Sequence, residues 1–454
     1  MRHFDAKAAV ESDFPRFKED LARLVAANSK NAPANGKAPF GEGIQLALET
    51  ILETAKGFGF KTKIDPEGYY GYAETGEGEE MLGVLGHVDV VPADDLESWD
   101  SPPFTLTEKG GRLYGRGVMD DKGPLLVSLY ALKILLDNGA KLNKRIRFIF
   151  CTDEESLWHG VKKYIEKEER PAYGFTPDAD FPLIYAEKGL VEYNLVTDEA
   201  DAVDFNGGIA YNAVAAKAST PYTDEIAAAM DSLGYEYEKD GNRLVAKGKA
   251  AHAMAPEEGV NAILRLAQAL VKTGAGGGLL RFLTEKACDP FGRAIFGSSA
   301  PWLGITDAIS GSLKFNVGLA DFKPRAQSVG IDIRFPVTYE KEKVDKVLEE
   351  AAKPYGVRVE QFDYLRSVYI DVNTPFVKAL MRAYQDVTGD TKTKPIATGG
   401  ATFARSMDNI IAFGALMPGT PKTEHKANEC VEIADLKKAI EIYMRAFTLL
   451  AVER

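Results

Sequence analysis

Arg145-Ile146-Arg147-Phe148-Ile149-Phe150-Cys151-Thr152-Asp153-Glu154-Glu155-Ser156 sets an apolar run against two adjacent carboxylates. The run is short and rich in β-branched and aromatic side chains, which predicts a strand with Glu154 and Glu155 in the loop at its carboxyl end. In open α/β sheets, ligands bind at that end of the strands. Adjacent glutamates repel each other, so two that point into one cleft need positive charge between them, and a metal ion meets that need. A solvated loop is the ordinary reading of such a pair taken alone.

Working outward, Met81-Leu82-Gly83-Val84-Leu85-Gly86 reads as a second buried strand, delivering His87 to its carboxyl end. A Pro-rich, Trp-containing loop over 91–104 leads to a Gly-rich stretch over 110–123, where Asp120 and Asp121 precede a helix. Pro124 suits the first turn of that helix, Leu125, Leu129, Leu132 and Leu136 keep its spacing, and Asn138-Gly139 ends it. Upstream, apolar residues at Phe14, Phe17, Leu21 and Leu24 predict a helix over 13–28 with Ser12 and Asp13 as caps, and a second helix covers 44–55. Strands alternating with helices over the first 190 residues predict a three-layer α/β domain around a central mixed sheet.

The texture changes over 190–369, where longer alternating strands fall into two strand-helix groups of similar size, over 211–252 and 315–357. A helix over 377–387 and the apolar strand Asn409-Ile410-Ile411-Ala412-Phe413-Gly414 then resume the earlier pattern, with His425 in the following loop and a closing helix over 433–450. We therefore expect an α/β domain in two parts, 1–188 and 370–454, interrupted by an inserted α+β domain, 189–369, made of two similar halves.

Composition narrows the function. A chain of 454 residues, 45% apolar, supports two or three domains with substantial cores. A net charge of -12 argues against a nucleic-acid partner, because neutralising phosphates takes clustered Lys and Arg. No stretch approaches the roughly 20 apolar residues needed to cross a bilayer, and Met1-Arg2-His3-Phe4-Asp5-Ala6-Lys7 is too charged for a signal peptide. Cys151, Cys288 and Cys430 lack zinc-finger or redox spacing, which predicts a reducing cytoplasm.

Five residues, His87, Asp120, Glu155, Asp178 and His425, each fall in a loop at a strand end or a helix start of the α/β part. Oxygen and imidazole donors without thiolate suit zinc, manganese or cobalt. With five such ligands one carboxylate must bridge, which predicts a two-metal site. Glu154 is left over, placed as a general base. Each residue also has an ordinary reading. His87 suits a hydrogen-bonded core position, Asp120 and Asp121 suit helix caps, Asp178 suits a turn, and Asp89 either solvates its turn or accepts the second N–H of His87. A phosphate-loop reading of 110–123 fails, since no Gly-x-x-x-x-Gly-Lys-Ser/Thr is present.

Gly86-His87-Val88-Asp89-Val90-Val91-Pro92, Gly115-Arg116-Gly117-Val118-Met119-Asp120-Asp121-Lys122-Gly123 and Asp153-Glu154-Glu155, in this order, resemble the co-catalytic zinc peptidase family of aminoacylase, carnosinase and succinyl-diaminopimelate desuccinylase. The resemblance covers nearly the whole chain and is nearest to the PepV-type bacterial dipeptidases, through Phe175-Thr176-Pro177-Asp178-Ala179-Asp180-Phe181-Pro182 and the long insert. It implies that His87 and Asp178 hold one ion, Glu155 and His425 the other, that Asp120 bridges them, that Asp89 orients His87, and that Glu154 is the base acting on a metal-bridging water. It also makes the insert a lid. The segment over 248–262 resembles one that projects a histidine, here His252, over the active site, with Asn212 near it and Arg334 on the substrate's terminal carboxylate. Asp332-Ile333-Arg334 equally suits a surface ion pair, and Asn212 a backbone hydrogen bond. The doubled insert implies a monomer whose lid serves its own site. The activity implied is hydrolysis of unblocked dipeptides with two divalent ions, zinc first and manganese or cobalt next. The rivals are deacylation of N-acyl amino acids or of succinyl-diaminopimelate and, more remotely, a non-enzymatic metal or peptide carrier.

Overall fold

The computed structural model describes residues 4–197, 202–288, 304–324 and 326–453. These fall into two compact units: one runs to Tyr185 and takes in Ile370–Ile396 and the residues from Thr402 onward, and the other comprises Ala186–Tyr369 and Ala397–Ala401.

The first unit is built on a mixed sheet ordered Lys61–Ile64, Tyr70–Thr75, Arg145–Cys151, Met81–His87, Tyr173–Thr176, Ile410–Ala412, Ile184–Glu187. The middle four strands are parallel, with His87 level with Cys151 and Thr176 level with Ala412. The outer pairs are antiparallel. Strands covered on both faces read as continuous apolar runs, and all seven residues of Met81–His87 are buried. Alternate residues feed two cores. Leu82, Val84, Phe148 and Phe150 pack with the helices Ala6–Ala26, Lys122–Asp137, Pro375–Thr388 and Ile433–Ala451, whereas Leu85, Ile149 and Cys151 pack with the helix His159–Lys167 and the turn Phe403–Ser406. The result is three layers, with most of the helical mass on one face.

The first helix departs from the sequence expectation. It begins at Ala6, capped by Asp5, whose carboxylate accepts from the Ala8 amide at 3.0 Å, and so carries Pro15 inside it instead of starting at Ser12 or Asp13. A cap about two turns further upstream won because Asp5 supplies the acceptor that free helix N–H groups need.

The second unit holds one antiparallel sheet of eight strands, ordered Tyr237–Asp240, Arg243–Lys247, Lys217–Pro221, Phe205–Gly207, Lys314–Lys323, Ala326–Phe335, Gly189–Thr197, Arg358–Leu365. A strand-strand-helix-strand order occurs twice: Phe205–Gly207, Lys217–Pro221, Asp224–Leu233, Tyr237–Asp240, and then Lys314–Lys323, Ala326–Phe335, Lys341–Ala352, Arg358–Leu365. The two runs meet where Phe205–Gly207 pairs with Lys314–Lys323. Val191, Tyr193 and Leu195 point into the helix-covered core, while Glu192 and Asn194 between them do not. Among the described residues no helix is long and apolar enough to cross a membrane, and Cys151, Cys288 and Cys430 are free thiols.

Candidate metal centre

Parallel strands end at one edge of a sheet, and that is what gathers the candidate ligands. His87 is the last residue of Met81–His87, Glu154 and Glu155 follow Arg145–Cys151 in its turn, and Asp178 lies just past Tyr173–Thr176. His425 stands in the long loop between Ile410–Ala412 and the closing helix, held at φ 61. Asp120 comes from the turn before the helix Lys122–Asp137.

Among the described residues, His87, Asp120 and Glu155 each offer a ligand atom within 4.8 Å of the others. The Asp120 carboxylate straddles two imidazoles: Oδ1 is 3.1 Å from His87 Nε2 and Oδ2 is 3.0 Å from His425 Nε2. His425 Nε2 also lies 3.2 Å from Glu155 Oε1, and His87 Nε2 lies 3.7 Å from Asp178 Oδ2. Each histidine therefore has one further carboxylate of its own and shares Asp120.

Asp89 fixes three neighbours. Its backbone oxygen is 3.0 Å and its Oδ1 3.3 Å from His87 Nδ1, so that nitrogen donates away from the cluster and Nε2 faces it. Its two carboxylate oxygens accept the amides of Glu154 and Glu155, each at 3.1 Å, which holds the glutamate turn in place. Glu154 so remains beside the cluster without a short contact to either imidazole.

The charges are crowded. Burial drives the Glu154 carboxyl well above its usual range, reinforced by Asp178 and Glu155. Burial and the nearby Asp120 push Asp178 up to about 7. Burial opposes ionisation of Asp120 as well, but hydrogen bonds from His425 and His87 outweigh it and hold that carboxyl below its ordinary value. Hydrogen bonds to Asp120 and Glu155 push His425 up to about 10. Burial works against a charged His87, yet Asp120 and Asp89 leave its pKa well above the ordinary value. Carboxylates that resist ionising together and imidazoles that hold protons mark a site short of positive charge. The donor set fits a metal on chemistry, being imidazole and carboxylate only. It fits on spacing too, since two ligands each about 2.1 Å from a tetrahedral ion stand roughly 3.4 Å apart.

The remaining expected site residues lie in the second unit. Ala213 bridges to His252 and the Ala253 amide donates to the Asn212 oxygen at 2.9 Å, so Asn212 and His252 are neighbours through their backbones. His252 Nδ1 accepts from the Met254 amide at 3.1 Å, which puts the ring proton on Nε2. Burial first, and then the charge of Arg334, lowers the pKa of His252. Arg334 is buried, not at the surface, and forks onto Asp332 through Nε at 3.1 Å and Nη2 at 3.0 Å. Its Nη1 donates to the Gly399 oxygen at 2.7 Å, which leaves one N–H on each terminal nitrogen.

Three buried residues around the centre, Asp121, Arg116 and Glu429, have contacts that the sequence reading did not foresee. Asp121 heads the helix Lys122–Asp137 but makes no side-chain cap; its Oδ2 accepts from the His87 amide at 3.2 Å instead. Gly86 leaves room for it, since a Cβ there would stand 2.5 Å from that oxygen. Arg116 and Glu429 pair at 2.7 Å, and Glu429 takes up amides of the turn that carries Asp120. The only signal for Glu429 was its place four residues beyond His425, in a polar loop where an acid reads as solvated.

The chain matches the family model described as "Peptidase family M20/M25/M40" over residues 83–448. It is 35% identical over 462 residues to "Putative dipeptidase YtjP" of Bacillus subtilis (strain 168), covering 97% of this chain and 98% of that one. Solved structures resemble it in fold. Dug1p, a di-peptidase from Saccharomyces cerevisiae, gives a TM-score of 0.59 at 16% identity, covering 98% of each chain. Human carnosine dipeptidase 1 gives 0.58 at 16% identity, again over 98% of each. The M20 family metallo-carboxypeptidase Sso-CP2 from Sulfolobus solfataricus gives 0.58 at 20% identity, over 95% of this chain and 98% of that one.

Proposed function

The chain belongs to peptidase family M20/M25/M40, and from that premise we propose that it is a metal-dependent dipeptidase, cleaving the amide bond of unblocked dipeptides. The observation that carries the reading is Asp120, one carboxylate with an oxygen on each of two imidazoles, His87 and His425, each of which has a second carboxylate beside it. The dipeptidase name of a relative 35% identical over nearly the full length supports the choice of substrate class.

In this reading His87 and Asp178 would hold one divalent ion and Glu155 and His425 the other, with Asp120 shared between them. Zinc is the first choice and manganese or cobalt the alternatives. Bound ions of this kind polarise the scissile carbonyl and make water acidic enough to attack near neutral pH. Glu154 takes the proton of the attacking water and returns it to the departing amine. Burial raises the Glu154 pKa in the metal-free site, so this carboxyl is shielded from bulk water where the proton is exchanged. Asp89 keeps His87 in the right tautomer and holds the Glu154 turn. From the inserted unit, His252 donates Nε2–H to the developing oxyanion, with Asn212 beside it. Arg334 offers its two remaining N–H groups to the substrate's terminal carboxylate, the contact that favours short peptides. The chain acts as a monomer in the cytoplasm, in keeping with an insert of two similar halves and three free thiols.

The test is turnover by dialysed protein with zinc, manganese or cobalt restored, against dipeptides, tripeptides and N-acyl amino acids. Dipeptides should be cleaved with the highest kcat/KM and only after metal is returned. A higher value on N-acyl amino acids or succinyl-diaminopimelate would overturn the dipeptidase reading, and full activity in dialysed, chelator-treated protein would overturn the metal.

A further inference from the structure

The Glu429 carboxylate is fully buried, yet it belongs to no proposed ligand set and lies outside the reaction. Three amides of one turn converge on its Oε1: Met119 at 2.8 Å, Gly117 at 3.0 Å and Asp120 at 3.2 Å. Oε2 accepts from Arg116 Nη1 at 2.7 Å and again from the Gly117 amide at 3.1 Å. Successive N–H groups curled around one anion form a nest, and here the anion is the protein's own. The turn is built for this occupant: Gly117 sits at φ +90, and a Cβ there would come within 2.9 Å of Lys122 Cδ and 3.0 Å of Val90 Cγ1.

Glu429 also belongs to the loop that carries His425. Its backbone oxygen accepts from the Gly115 amide at 3.1 Å, and the strand Cys430–Glu432 that follows pairs with Arg112–Tyr114, which leads into the Asp120 turn. Thr423 Oγ1 accepts from the Cys430 amide at 3.1 Å and donates to its oxygen, closing the base of the His425 loop. A buried ion pair is a poor source of stability compared with apolar packing, so stability alone does not account for Glu429 and Arg116.

Resting on the reading of His87, Asp120 and His425 as ligands, we propose that Glu429 is a positioning residue that locks the Asp120 turn to the His425 loop. The carboxylate spacing of the metal centre is thereby set before any ion binds. Three amides that would otherwise be buried without partners are spent on one side chain, and Asp120 is left with both oxygens free to face the two imidazoles.

The experiment uses the full chain. In metal-free wild-type protein, the amides of Gly117, Met119 and Asp120 should resist hydrogen exchange as strongly as those of the central strands, and Glu429→Gln should open them. Competition with a chromophoric chelator should show cobalt binding at least tenfold weaker in Glu429→Gln, with Glu429→Asp also impaired because the shorter side chain cannot span the nest. The visible spectrum of the cobalt-loaded variant should change as well, which a purely structural ion pair would not cause. Wild-type cobalt affinity and spectrum in a folded Glu429→Gln protein would overturn the proposal. So would free exchange of those amides in metal-free wild type, a result that stands even where the variant does not fold. Wild-type protein that binds no cobalt while those amides remain protected would instead overturn the reading of the metal centre.

Discussion

Two histidines of this chain are shifted in opposite directions, and the contrast separates the two units. His425 lies among carboxylates that push its pKa up to about 10, whereas burial and Arg334 pull that of His252 down. The first environment is acidic and calls for cations. The second already holds its own cation, Arg334, matched by Asp332, and keeps its imidazole neutral with a free Nε2–H. A ligand cluster of the kind proposed must converge, and parallel strands bring His87, Glu155 and Asp178 to one edge; the proposed oxyanion donor needs only to be neutral and oriented.

The largest effect expected from breaking this contrast is on the acidic side. Glu154→Gln keeps the size of the side chain and removes its basicity, so kcat on a dipeptide should fall by about 10² to 10⁴. Metal content, measured on the same preparation, should not change. A variant that retains both metal and near wild-type turnover would remove Glu154 from the proton transfer.

On the neutral side, His252→Ala should lower kcat by about 10² to 10³, the usual cost of one oxyanion donor, with little change in KM. Because the role asks for a neutral N–H and not for a titrating group, His252→Gln should recover part of the loss. An undiminished kcat in the alanine variant would take the inserted unit out of the chemistry.

The two regions also differed in how much the sequence disclosed. The candidate ligands of the first unit stood out because apolar runs such as 81–86 and 145–150 stop abruptly at His87 and before Glu154, so that strand ends and donors coincide in the primary structure. Their helpers did not stand out. Asp121 and Glu429 look like any acids in a polar turn until the fold shows that they are buried and which amides they accept. Arg334 fell between these cases. Residues two apart on a strand share a face, so Asp332 was its natural partner, but the pair lies on the face away from the helix-packed Ile331 and Ile333, and its burial comes with contacts distant in sequence, such as Arg334 with the Gly399 oxygen. The Asp5 cap was lost to Ser12 and Asp13, cap-type residues that stand directly before the stripe Phe14, Phe17, Leu21 and Leu24.

A smaller effect is expected at Asp89, which acts on the ligands from behind. Asp89→Asn keeps an acceptor for one glutamate amide but loses the charge beside His87 Nδ1. Zinc affinity should drop by about 10- to 100-fold, the usual cost of removing a residue that orients a metal-bound imidazole. Unchanged affinity would place the orienting role on the Asp89 backbone oxygen alone, which is the nearer of its two contacts to Nδ1.

The opposite shifts of the two histidines predict a pH dependence as well. In metal-free protein, the stability that His425 gains from Asp120 and Glu155 is fully present below its unfolded pKa near 6.5 and is lost as pH rises toward about 10. The raised pKa of Asp178 acts in the same sense over a lower window, its cost to the fold building as pH rises from the ordinary carboxyl value near 3.8 and complete above about 7. With cations bound as proposed, both penalties would be removed, because His425 would give up its proton on ligation and the Asp178 charge would be neutralised. The gap in Tm between zinc-loaded and metal-free protein should therefore widen from pH 6 to pH 9, measured by thermal unfolding at fixed free zinc. His252 has no carboxylate in hydrogen-bond contact with its ring and keeps a low pKa, so His252→Ala should leave that widening intact. A gap that stays constant with pH would mean that the cluster does not exchange protons for metal, and the contrast between the two histidines would lose its functional meaning.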